Sequence, residues 1–256
     1  MRPADELRDA VETFLRSLAF APELGDLEDA LRYSLESGGK RVRPVLCLAV
    51  AEANGASVDD ALSAAAALEL VHTFSLVHDD LPAMDDDDER RGRPSAHVAF
   101  GEGVALLAGD ALLAEALRLA LTYESEDVAR DLADATLGMI GGQYRDITGD
   151  NGDLEELHRL KTGRLFVAAV RLGLDVAGVA RGARDEWVAF GEDVGLLFQV
   201  VDDLLDGDGY AERLGVEDAR RLADEVAARA GARLDGTGAE TQVLRELVDA
   251  LTFRTG

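Results

Sequence analysis

Apolar residues recur at helical spacing along nearly the whole chain, while strand-like alternation and β-branched clusters are absent, so the sequence predicts an almost entirely α-helical protein. Leu62, Ala65, Ala66, Glu69, Leu70, Thr73 and Val77 share one stripe of a long helix that opens near Ser57 and carries Asp79 at its C-terminal end. Ser95, behind Arg93-Pro94, is placed as the N-cap of a helix running to about Leu121. A third long helix should follow Ser125 and reach Gly149. Gly141-Gly142 inside it costs about 1–2 kcal/mol relative to alanines, which signals close packing or a kink. The stretch from Thr148 through Asp153 reads as a turn, after which a helix carries Lys161 past Val170. Arg184 through Asp206 forms another amphipathic helix, ended by Gly207-Asp208-Gly209, and two shorter helices near 215–230 and 239–252 complete the pattern. With no internal repeat and no Pro-, Gly- or Ser-rich linker, residues 1–256 are expected to form one all-α domain.

Charge adds a restriction. The formal net charge is −25, which repels nucleic acid and anionic membrane alike over most of the surface. Most of the 51 acidic residues must be solvated, a composition suited to a salt-rich cytoplasm where screening relieves self-repulsion. The lone cysteine, Cys47, sits in an apolar run and is read as a core residue. Residues 1–6 show no signal-peptide core, and no run of about 18 uncharged apolar residues occurs, so the expectation is a cytoplasmic protein without stable membrane insertion.

Against this acidic background the chain has only two lysines, Lys40 and Lys161. Lys40 stands in Gly38-Gly39-Lys40-Arg41-Val42-Arg43-Pro44, where glycines let backbone approach an anion and Lys40 and Arg43 are expected on the first turn of a helix opened by Pro44. Lys161 stands in Lys161-Thr162-Gly163-Arg164. Opposite charge is concentrated in Asp79-Asp80-Leu81-Pro82-Ala83-Met84-Asp85 and in Asp202-Asp203-Leu204-Leu205-Asp206, two sets of hard oxygens suited to Mg²⁺. Asp202 and Asp206 share a helix face at i, i+4. Asp79 and Asp85 would not, but Pro82 disfavours helix at Leu81 and lets the chain turn back. For Asp86, Asp87, Asp88 and Glu89 a solvated surface is the expected role. Arg90 and Arg91 put guanidinium donors beside the first acidic segment. His72 lies two turns before Asp79, on the same helix. Cations for one phosphate and metals for another imply two anionic substrates.

These segments resemble the short-chain trans-isoprenyl diphosphate synthases, the polyprenyl synthetases that include farnesyl and geranylgeranyl diphosphate synthase. The similarity spans roughly residues 25–206 and rests on the motifs above together with Arg90-Arg91-Gly92, Gly141-Gly142-Gln143 and Phe198-Gln199-x-x-Asp202-Asp203-x-x-Asp206. The resemblance implies the isoprenoid synthase fold, helices around a central cavity, and a homodimer. It also implies a Mg²⁺-dependent prenyltransferase that condenses isopentenyl diphosphate with an allylic diphosphate to a C15–C20 product. By the same resemblance Lys40, Arg43, His72 and Arg91 hold isopentenyl diphosphate. About three Mg²⁺ ions would be carried by Asp79, Asp80, Asp85 and Asp202, with Asp203 and Asp206 completing the second acidic set and Arg90, Lys161, Thr162 and Gln199 assisting. Phe74 and Ser75, just before Asp79, are the implied determinants of product length. The chain departs from the family after Asp206, where a lysine-containing loop is expected and Gly207-Asp208-Gly209-Tyr210 leads almost directly to Leu214. Two other functions are compatible with that departure or with the fold: a weakly catalytic paralogue that binds prenyl diphosphates or serves as a regulatory subunit, and a terpene cyclase. A cyclase has little use for the Lys40, Arg43 and His72 set.

Overall fold

A computed structural model describes residues 1–36, 38–149 and 154–252, which contain thirteen α-helices. The chain runs through α1 (Ala4–Ser17), α2 (Leu27–Leu35), α3 (Val42–Ala53) and α4 (Val58–Asp79). It continues through α5 (Ala96–Phe100), α6 (Glu102–Ala120), α7 (Asp127–Thr148), α8 (Leu154–His158) and α9 (Arg164–Val176). The last four helices are α10 (Asp185–Asp206), α11 (Gly209–Leu214), α12 (Val216–Thr237) and α13 (Gln242–Thr252).

The centre is α4. Ser57 caps it by accepting the Asp60 backbone N–H, and its buried residues run all round the axis, including Ala64 through Val71. A helix wrapped on every side is apolar on every side, and here the alanines let α3, α6 and α9 pack closely against it. Full burial of Leu68, Leu70 and Val71 stabilises the fold by about 1.5–3 kcal/mol per side chain. Among the described residues α4 is the one helix long and apolar enough to cross a membrane, but 67% of its apolar window is buried inside the protein. Around it, α9 and α12 pack on α10, and α7 packs on α9. Cys47 is buried on α3, as expected.

Four details differ from the pattern read along the sequence. The helix behind Ser95 is broken at Gly101, whose φ of 87° lies outside helical space, so α5 and α6 are separate. Two residue pairs form a short antiparallel ladder, β1 (Glu89–Arg90) with β2 (Arg93–Pro94), where no strand was expected. Its role is to return Arg90 toward α4. An extra short helix, α11, precedes α12, which itself continues to Thr237. Lys40 lies before α3 rather than on its first turn, because Arg41 takes a left-handed conformation at the helix entry. Residues 150–153 of the expected turn lie outside the described residues.

Candidate active site

The first acidic segment is built at the C-terminal end of α4. The Asp85 backbone N–H donates to the Asp79 carbonyl at 2.8 Å and that of Met84 to the Leu81 carbonyl, so the chain doubles back through Pro82 and brings Asp85 to Asp79. Asp80 is buried and accepts from Arg90 through Nε at 2.9 Å and through Nη2; the same Nη2 donates to Asp87 at 3.0 Å. Arg90 therefore clamps the acidic turn. Burial pushes the Asp79 carboxyl up to about 6, with Asp85 and Asp80 reinforcing the shift and Lys161 opposing it. A carboxylate so disfavoured as a bare anion, among hard oxygen neighbours, fits a divalent cation.

A second group of residues forms a basic cleft of about 670 Å³, lined by Lys40, Arg43, His72 and Arg91 together with Gly39, Glu69 and Phe198. The Arg43 guanidinium stacks on Phe166 and Phe198, 4.5 and 5.4 Å from their centroids. Its Nη1 stands 3.4 Å from His72 Nε2. Arginine only donates, so this contact places the imidazole proton on Nδ1. Burial lowers Arg43 to about 10. Burial, then the charges of Arg43 and Arg91, hold His72 well below its ordinary range, and the ring is neutral.

The opposite wall comes from α7, α9 and α10. A single π-helical turn, Arg159–Gly163, precedes α9 and carries Lys161 and Thr162. Gly142 makes that turn possible: a Cβ there would stand 2.5 Å from the Lys161 backbone nitrogen. Close packing is thus the reason for Gly142, whereas a Cβ at Gly141 would meet nothing within 4 Å. Lys161 Nζ donates to Asp146 at 2.5 Å, and Lys161 is the strongest charge acting on Asp79. Thr162 Oγ1 donates to Gln199 Oε1 at 2.8 Å, Gln199 Nε2 to Asp203 Oδ1 at 2.6 Å, and the Tyr210 backbone N–H to Asp203 Oδ2 at 2.8 Å. Both Asp203 oxygens are engaged and the residue is buried. Gly209 permits this: a Cβ would come within 2.2 Å of Asp203 Oδ2. Asp202 is half-buried and its charge reaches Arg43, whereas Asp206 is exposed at the end of α10.

The structure thus assembles Lys40, Arg43, His72 and Arg91 in one cleft, places Asp79, Asp80 and Asp85 on one turn, links Thr162, Gln199 and Asp203 into a chain of hydrogen bonds, and pairs Lys161 with Asp146 instead. No three acidic, histidine or cysteine side chains converge as a closed cage among the described residues. Ser75 donates to the His72 carbonyl at 2.9 Å, and Phe74 packs edge-on against His78 with centroids 5.0 Å apart. Three participants went unread in the sequence. Asp146 is one helical turn beyond Gly142, a spacing that could have found it. Glu69 was visible as a carboxylate on an apolar stripe, and Tyr210 contributes its backbone N–H to Asp203 and its ring to an edge contact with His158.

The polyprenyl synthetase family model matches residues 25–221. The chain belongs to the polyprenyl synthetase family. A geranylgeranyl diphosphate synthase of Cyanophora paradoxa is 41% identical over 215 residues, covering 78% of this chain and 71% of its own. A farnesyl diphosphate synthase of Bacillus subtilis is 39% identical over 228 residues, covering 82% of this polyprenyl synthetase and 77% of itself. Among solved structures, a geranyltransferase from Legionella pneumophila superposes with a TM-score of 0.87 at 33% identity, over 98% of this chain and 96% of that one. The all-α isoprenoid synthase fold is therefore shown.

Proposed function

We propose that the protein condenses isopentenyl diphosphate with an allylic diphosphate to a C15–C20 prenyl diphosphate. The observation that carries this reading is the basic cleft of Lys40, Arg43, His72 and Arg91, separate from the acidic turn, with the charge of Asp202 acting on Arg43 and that of Lys161 on Asp79. One diphosphate is held by side-chain cations alone, the other by carboxylates through metal. Asp79, Asp80, Asp85 and Asp202 would hold about three Mg²⁺ ions, which supply charge neutralisation for the departing diphosphate. Arg90 fixes Asp80, and Lys161 and Thr162 face the same leaving group. Gln199 and Asp203 keep Thr162 oriented, a positioning role for Asp203, while Asp206 acts at the outer edge. Arg43, flattened on Phe166 and Phe198, presents its fork to the isopentenyl diphosphate. The allylic C–O bond breaks to release diphosphate, the isopentenyl double bond attacks the allylic carbon, and the new chain loses a proton to the released diphosphate. No protein nucleophile takes part. The decisive assay supplies isopentenyl diphosphate with dimethylallyl, geranyl or farnesyl diphosphate in turn, with Mg²⁺. Longer prenyl diphosphates support the reading; their absence with all three primers sinks it.

Product length should be set beneath Asp79. Phe74 is five residues earlier, about 7.5 Å down the axis, and its ring rests on His78. Phe74→Ala should lengthen the product by at least one isoprene unit, read by mass spectrometry of the dephosphorylated alcohols. An unchanged distribution would remove Phe74 as the floor.

A homodimer is part of the same proposal. Leu137, Ile140, Tyr144 and Ile147 are exposed at i, i+3, i+7, i+10 along α7, and Val104 and Leu107 are exposed on the neighbouring α6. An apolar face of this length suits a second copy of the chain. Sedimentation should give a dimer, and Leu137→Asp with Tyr144→Asp should give a folded monomer; a monomeric wild type refutes the assignment.

A further inference from the structure

Glu69 lies in the middle of α4 at 3% exposure, inside a long apolar helix buried on every side. A carboxylate there is costly unless it is matched by charge. Its direct partner is Arg41, whose Nη1 donates to Glu69 Oε1, while Nε donates to Glu12 at 2.7 Å and Nη2 to the Leu35 carbonyl at 2.5 Å. These three bonds hold Arg41 in a left-handed conformation, φ 48°, which is strained for a non-glycine residue. The influence of Glu69 extends past Arg41. It is the strongest attractive charge acting on both Arg43 and Arg91, while Arg91 repels Arg43, and Arg41 and Arg90 repel Arg91. All of these except Arg90 line one cleft with Glu69.

We infer that Glu69 is a positioning residue, the interior counter-ion that gathers Arg41, Arg43 and Arg91 into a cradle before isopentenyl diphosphate arrives. This rests on the function proposed above. Like charges brought together without a counter-ion would splay toward solvent, and a diphosphate would then have to reassemble them at the expense of its own binding. Glu69 does this in advance, from beneath, where it leaves the cleft open. Glu12, the other carboxylate on Arg41, anchors the strained loop residue without reaching the substrate cations.

The test is calorimetric titration of isopentenyl diphosphate in excess EDTA, which silences the metal-dependent site, combined with steady-state kinetics of the full chain. Glu69→Gln, which keeps the shape and an acceptor for Arg41, should weaken isopentenyl diphosphate about tenfold or more and leave the allylic KM within about twofold. Glu12→Gln should weaken it less than about threefold. Glu69→Asp keeps the charge at a shorter reach and should fall between wild type and Glu69→Gln; it carries the test if the glutamine variant does not fold. Unchanged or tighter binding by Glu69→Gln overturns the inference, because the carboxylate would then merely oppose the substrate. So does an equal loss for both substrates, or for Glu12→Gln and Glu69→Gln, either of which marks a structural role. A wild type that binds isopentenyl diphosphate but turns over no primer would remove the prenyltransferase reading and leave the role of Glu69 standing on the binding data.

Discussion

Asp79→Asn should lower kcat by at least about 10³-fold while leaving metal-free binding of isopentenyl diphosphate within about twofold. The substitution keeps the side-chain shape and removes the charge at the residue where metal is expected to meet the allylic diphosphate. A group that acts only on the departing diphosphate contributes to the transition state and not to the other substrate's cleft. The same variant should be more stable than wild type in EDTA at pH 7–8. Burial raises the folded-state carboxyl to about 6, so ionised Asp79 destabilises the native state. That penalty is complete above the folded value and vanishes below the unfolded value of about 3.9. The stability gain of Asp79→Asn should therefore shrink as pH falls from 7 toward 4. Thermal melts across pH in EDTA, beside single-turnover rates in Mg²⁺, measure both halves. A variant that is slower but less stable at every pH would mark Asp79 as a structural residue.

How far the sequence carried the fold depended on whether contacts were local. The helix α4 and its delivery of Asp79 were legible because an apolar stripe, a serine cap and the proline three residues beyond Asp79 all act within a few turns. The cleft residues were legible as types and spacing, since Lys40, Arg43 and His72 stand out against a strongly acidic chain. What escaped were contacts between distant segments. The π turn at Arg159–Gly163 exists because α7 presents Gly142 to its backbone, and no window around Lys161 contains that information. The helix break at Gly101 was missed because a single glycine inside helical periodicity is often tolerated. Asp203 looked equivalent to Asp202 on paper; only the approach of Gly209 and Tyr210 shows its oxygens turned inward.

Arg43→Met should separate stability from binding at the basic cleft. The guanidinium lies over the contacting rings of Phe166 and Phe198, its Nε has no hydrogen-bond partner among the described residues, and burial lowers its pKa to about 10. The folded chain therefore bears a charge it does not fully compensate, and methionine of similar length can keep the ring contacts without it. The melting temperature in the absence of ligand should be unchanged or higher. Binding of isopentenyl diphosphate in EDTA should weaken about 30–100-fold, the size expected for losing charge-assisted bonds to one anion. Arg43→Lys should recover only part of this, because a compact ammonium cannot offer the planar fork or stack on both rings. His72 supplies an independent readout. Arg43 is the largest charge holding its imidazole neutral, so in Arg43→Met the ring should titrate at higher pH, visible by NMR. Retained affinity with a lowered melting temperature would assign Arg43 to the core; a selective loss of isopentenyl diphosphate with the His72 shift would locate one diphosphate on this cleft without any metal.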